Sequence, residues 1–178
     1  MPYFEDFAFD DLPELPRTVD PGSFKQGMRL LTAGVTIVTT AIGSARIGLT
    51  ATAICSLTAE PPMLLACVSR DAGAHDPTLQ SRVFCVNVLS AAHHALALLF
   101  ADNKHAAERF QSGDWGTLAT GAPVLMDSLA SFDCVLDQTM RAATHTVLIG
   151  RVSAVRTSPD RMPLLYGSGV FGTFKRAL

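Results

Sequence analysis

Runs with the period of a β-strand dominate this chain, and they come in blocks joined by short connections with few helices between them. That pattern fits a mainly β, antiparallel barrel and argues against a doubly wound parallel sheet. Residues 35–41 are rich in β-branched side chains and pass through Ile42, Gly43, Ser44 and Ala45 into 47–52, which predicts a β-hairpin. Two further apolar runs, 63–68 after Pro61-Pro62 and 83–89, flank a short helix expected over 76–82. Later, 131–142 places Phe132, Cys134 and Leu136 on one face and Asp133 and Asp137 on the other. Residues 145–155 read as a long strand, and 163–174 as one more with glycine breaks. Helices are expected over 92–100 and 106–110, where the residues are good helix formers.

Composition supports a packed core: 48% of the residues are hydrophobic and only 17% charged, far from the disordered class. The 14 basic and 16 acidic side chains leave a formal charge of −2, so no strong field favours nucleic acid or an anionic membrane. The longest small-and-apolar stretch, 91–101, is interrupted by His93 and His94 and is too short to span a bilayer. Six acidic residues against Arg17 alone in the first twenty positions are the opposite of a leader peptide, so a cytoplasmic protein is expected. Cys55, Cys67, Cys85 and Cys134 form no C-x-x-C pair and read as small core residues in a reducing compartment.

Residues 1–22 carry Pro2, Pro13, Pro16 and Pro21 among acidic side chains and read as an extended arm, with Tyr3, Phe4, Phe7 and Phe9 available for packing. Residues 23–178 then form a single domain. It opens with a short helix capped by Ser23, with Phe24, Met28 and Leu31 at helical spacing, that stops at Gly34.

Two tempting motifs fail on physical grounds. Gly167, Gly169 and Gly172 match a G-x-G-x-x-G fingerprint, but that loop needs a following helix and a later acidic residue, and the chain ends six residues on. The glycines more simply bend a late strand. His75, His93, His94, His105 and His145 show no metal-ligand spacing, so no metal is expected. No nucleophile elbow, phosphate loop or paired carboxylates are visible, which leaves hydrolysis and phosphoryl transfer without support.

What remains is the run 48–58, which alternates small and hydroxyl residues where a barrel strand should end. A flat polar ring suits such a surface, because small side chains expose main-chain groups while hydroxyls and apolar neighbours complete the contact. An ordinary Thr-rich strand accounts for it equally well.

In order along the chain stand TAGVTIVTT (32–40), GLTATA (48–53), PPMLL (61–65), FCVNVL (84–89), Phe100-Ala101, Arg109-Phe110, HTVLIGRV (145–152) and PLLY (163–166). In these pieces the chain resembles the short-chain flavin reductases, the reductase components of two-component flavin-dependent monooxygenases. Their fold is the FMN-binding split barrel, an antiparallel Greek-key barrel with a few flanking short helices. The resemblance implies that Thr50, Ala51, Thr52 and Ala53, with Ser56, Leu57 and Phe100, hold the isoalloxazine of FAD or FMN. It places Ser69, Arg70, Ala72, Gly73, Ala74 and His75 along the ribityl phosphate, where a guanidinium fork and a free backbone N–H suit the charge.

It further implies NADH or NADPH as hydride donor, met by His145, Tyr166 and Phe171. No side chain need act as a catalytic acid or base, since hydride passes between the two cofactors. A homodimer and a separate oxygenase component are the expected partners. The chain departs from the family's usual pattern at Ala143-Thr144 before His145, at Val170 and Phe171, and at Thr52. The alternative is a split-barrel module that binds flavin without turnover; a flavin-free subunit of an oxygenase would leave the run 48–58 unexplained.

Overall fold

The computed structural model describes residues 18–158 and 160–174. The reading of 1–17 as part of an extended arm lies outside these residues. The helix that follows, α1 (Pro21–Leu30), begins earlier than the sequence reading placed it. Asp20 and not Ser23 is the cap, its carboxylate accepting from Gly22 N (2.9 Å) and Ser23 N (3.0 Å), and Pro21 sits where a missing N–H costs nothing. Gly34 does not stop it, because Ala33–Gly34 is already a strand, β1, paired with residues 165 and 166.

Seven strands form the main sheet: β2 (Thr36–Ile42), β3 (Ala45–Ala51), β4 (Ile54–Ala59), β5 (Pro62–Ser69), β6 (Val83–Val88), β9 (Ala130–Ala142) and β10 (His145–Thr157). Their order is β3-β2-β6-β9-β10-β5-β4, antiparallel throughout. β3 and β4 are consecutive in the chain yet occupy opposite edges. Only Thr52 and Ala53 join them, and three virtual bonds reach at most about 11 Å, so the sheet must curl until its two edges meet at that end. Each edge pairs with a single neighbour, β2 or β5, and the barrel stays split. Its interior is filled by Val38, Leu64, Ala66, Val68, Phe84, Val86, Leu136 and Leu148. Register shifts where β9 meets β10 bend the pair, and Gly150 leaves room for the ring of Phe84 where any Cβ would collide with it.

Two small hairpins complete the β structure. β7 (Trp115–Thr117) pairs with β8 (Pro123–Leu125), and β11 (Leu164–Gly167) pairs with β12 (Val170–Thr173). The second pair replaces the single late strand expected over 163–174. Ser168 and Gly169, both at positive φ (53° and 82°), form its tight turn, which is what the fingerprint-like glycines serve. α2 (His75–Ser81) and α3 (His94–Ala101) stand close to expectation, whereas 106–110 is not an α-helix: a 3₁₀ segment covers Asn103–Glu108 and is interrupted at His105.

Buried polar groups anchor the 103–129 excursion. Asn87, fully buried, donates through Nδ2 to Ile37 O (3.1 Å) and Thr39 Oγ1 (3.2 Å), while its Oδ1 accepts from Leu125 N (2.8 Å) and Ser131 Oγ (2.9 Å). Asp133, on the face opposite Phe132 and Cys134, is buried and accepts from Thr120 N (2.8 Å) and its hydroxyl. Cys85 and Cys134 are core residues as read. Burial, reinforced by Asp133, pushes both thiols up, that of Cys134 to about 12, so they stay protonated. Cys55 is instead exposed and Cys67 half-buried.

Candidate functional site

A cleft of about 300 Å³ lies at the end of β3. Thr50, Ala51 and Thr52 form its floor, Leu98 and Ala101 of α3 one wall, and Tyr166 and Phe171 of the β11–β12 hairpin the other. The structure thus gathers residues separated by more than a hundred positions. Tyr166 and Phe171 are cross-strand partners in edge contact, ring centroids 5.1 Å apart at 61°. Behind Phe171 stands His94, 4.8 Å away at 77°, a support that the sequence reading left unassigned on its helix.

The floor is held by side chains that spend their hydroxyls internally. Thr50 Oγ1 donates to Ala97 O and Thr36 Oγ1 to Ala51 O, both at 2.7 Å, so the cleft surface at these positions is methyl and backbone. Phe100 is not part of that surface. It is 1% exposed and packs beneath β3 against Gly48, where a Cβ would come within 2.8 Å of its ring.

Past Ala51 the chain leaves the ladder, and Thr52 and Ala53 are exposed. Ala53 O accepts from Cys67 N (2.9 Å), two residues before Ser69, so this link leads from the first cleft toward the loop 69–75. A second, polar cleft of about 520 Å³ opens there, flanked by Arg70, Asp71 and His75 on one side and by Arg141, Ala143 and Thr144 on the other. The loop is tied to the β9–β10 turn by Arg70 N donating to Thr144 O (2.9 Å). Gly73 faces open space, Ala74 is buried, and Ala72 packs on the core. His75 is a structural residue here, 5% exposed, its Nε2 bonded to Thr146 Oγ1 (2.9 Å) and its Nδ1 to Asp76 (2.6 Å).

His145 opens β10, opposite Ser69, with an exposed ring bonded through Nδ1 to Thr144 Oγ1 (2.9 Å). It stands beside the polar cleft and does not line the aromatic one. Ser56 and Leu57 are not brought to either cleft. Ser56 lines an apolar groove elsewhere along β4, and Leu57 is exposed where the β4 register shifts. Arg141 had no signal in the sequence, because only the hairpin turn carries it to the loop.

Residues 28–175 match the flavin reductase like domain. The chain belongs to that family. It is 47% identical over 155 residues to the FMN reductase (NADH) RutF of Bradyrhizobium diazoefficiens, covering 87% of this chain and 86% of that protein. Among solved structures it is similar to the NADH:FAD oxidoreductase SgcE6 of Streptomyces globisporus C-1027, with 30% identity, a TM-score of 0.83 and coverage of 91% and 99%. BorF, the flavin reductase component of a bacterial two-component tryptophan halogenase, shares 32% identity at a TM-score of 0.81, covering 89% and 100%. The split-barrel, mainly β fold expected from the sequence is therefore the family's fold.

Proposed function

We propose that this chain, with residues 23–178 acting as one domain, is an NADH-dependent reductase of free flavin that supplies reduced flavin to a separate oxygenase component in the cytoplasm. The observation that carries the reading is the open cleft whose floor is small residues and backbone and whose far wall is an aromatic pair, in a chain of the flavin reductase-like family. FMN is the favoured flavin and NADH the favoured donor, in keeping with the names of relatives such as the 42% identical FMN reductase (NADH) of Variovorax paradoxus. The separate oxygenase is argued from neighbours that are themselves reductase components, BorF among them.

Hydride transfer from nicotinamide to flavin is the cofactors' own chemistry. The chain's share is binding, orientation and exclusion of water. Thr50, Ala51, Thr52 and Ala53 would hold the isoalloxazine, their small side chains allowing contact with backbone. Ser69, Arg70 and Gly73 suit the phosphate, Arg70 by charge and Gly73 by an unobstructed main chain. Tyr166 and Phe171 provide a face for the nicotinamide. Purified protein mixed with FMN and NADH should consume NADH at the nicotinamide band in a flavin-dependent way, with NADH preferred at least ten-fold over NADPH in kcat/KM. A bound flavin spectrum without turnover would favour the binding-module alternative.

His145 is assigned to the donor: its exposed ring can hydrogen-bond the carboxamide or a phosphate of the nucleotide. His145→Ala should raise the KM for NADH several-fold and leave the flavin dissociation constant unchanged. Stopped-flow reduction at the wild-type rate and affinity would refute the assignment and leave Tyr166 and Phe171 as the platform.

A homodimer is argued from the outer face of the sheet. Leu64, Ala66 and Val68 point into the barrel, so Leu65 and Cys67 point out, in register with Ile149 and Val147 of β10, and Met140 of β9 continues the patch. Strands apolar on both faces need cover on both. Light scattering should return about twice 18.9 kDa, and a monomer mass at micromolar concentration would count against the dimer.

A further inference from the structure

Arg109 is a cation placed where cations are costly. It is only 5% exposed, and burial lowers its pKa below the usual arginine value. Its hydrogen bonds go to uncharged oxygens: Nη1 donates to Gly48 O (2.6 Å), and Nη2 to Asp102 O (3.0 Å) and Asn103 Oδ1 (3.1 Å). Nε has no partner among the described residues. The neighbouring Asp102 carboxylate is occupied locally, by Lys104 N (2.8 Å) and His105 Nδ1 (2.8 Å). A buried charge paired in this way is a poor device for stability, and an apolar side chain of similar size would serve that purpose as well. What only the guanidinium supplies is a rigid fork of donors.

The fork spans two elements that build the aromatic cleft. Gly48 lies on β3, two residues before Thr50, and Asp102 caps the C-terminus of α3, where a positive charge also meets the negative end of the helix. At the same point the Phe100 ring lies against Gly48, and one strand step on Thr50 is bonded to Ala97 of α3. We propose that Arg109 is a positioning residue for the cleft, fixing the spacing between the β3 floor and the α3 wall at the width a flat ring requires. This rests on the flavin reading given above.

Arg109→Met removes the fork at nearly constant length. Titration of the protein with FMN, followed by flavin fluorescence, should give a dissociation constant at least five-fold weaker, and the KM for FMN should rise in parallel while that for NADH changes less than two-fold. Arg109→Lys, able to reach only one of the carbonyls, should fall between wild type and Arg109→Met. Val124→Ala, in a core cluster with Cys85 and Ala122 away from the cleft, is the control for stability alone: it should lower the thermal midpoint and leave FMN binding within two-fold. The proposal is overturned if Arg109→Met weakens FMN less than five-fold, or if Val124→Ala weakens it equally. Should Arg109→Met fail to fold, Arg109→Lys decides, and an unchanged FMN constant overturns the proposal. Wild-type protein that binds no FMN would overturn the flavin reading along with this one, whereas wild-type binding that is insensitive to Arg109 overturns this one alone.

Discussion

Asn87→Ala is expected to destabilise the protein by about 3–5 kcal/mol, because one side chain satisfies four buried groups at once. Its loss leaves the buried Leu125 N–H without its partner, at a cost on the order of 1–3 kcal/mol, and removes one partner each from Ile37 O, Thr39 Oγ1 and Ser131 Oγ, while the cavity left in the core adds to the loss. For a domain of this length the thermal midpoint should fall by roughly 10 °C. Amide exchange at Leu125 should accelerate more than exchange in β9 and β10, since Asn87, together with the Thr39 hydroxyl on Pro123 O, fastens the β7–β8 hairpin to the barrel wall. Urea unfolding with a loss below about 1 kcal/mol would show that the hairpin is held by its apolar contacts instead.

Ala51→Leu should have the opposite profile. Ala51 lines the cleft of about 300 Å³ and also packs on the barrel core, so a larger side chain crowds the cleft floor and the flavin KM should rise ten-fold or more. The backbone at this position is held independently by the Thr36 hydroxyl on Ala51 O and by the ladder to β2, and the thermal midpoint of the apoprotein should move by no more than about 3 °C. Equal losses of binding and of stability would mark Ala51 as a plain packing position.

Long periodic strands were the legible part of the sequence. The β2–β3 hairpin, β9 and β10 follow directly from residue alternation and turn chemistry. β4 was not legible, because Ile54–Ala59 mixes small, hydroxyl and thiol side chains and its register shifts after Ser56, so no alternation survives. β7 and β8, three residues each, are too short to carry a period. Alternation sets the face of Asp133 but not its burial; its partner Thr120 sits on an excursion whose return to the barrel Asn87 and its neighbours fix.

The site divides the same way. Thr50, Ala51, Thr52, Tyr166 and Phe171 could be picked out from the family's pattern, but that they share one cleft depends on the barrel closing. That Phe100 packs under β3 and not on the cleft surface is not legible, because the residues of a uniformly apolar helix do not declare which of them turns toward a strand. Arg109 was visible only as half of a motif, since nothing in a sequence reveals that a guanidinium will be buried without a carboxylate.

The seam of the barrel has a kinetic consequence. Thr52 and Ala53 lie where the ladder is already interrupted, so on the proposed reading a planar molecule arriving there displaces no strand pairing, and its departure leaves none to be rebuilt. Arrival and departure would then be limited by side chains and loops, which move in nanoseconds to microseconds, and not by backbone rearrangement. On that reading, a carrier that hands its reduced product to another protein gains from having its dock at the seam, where β3 and β4 come together without pairing.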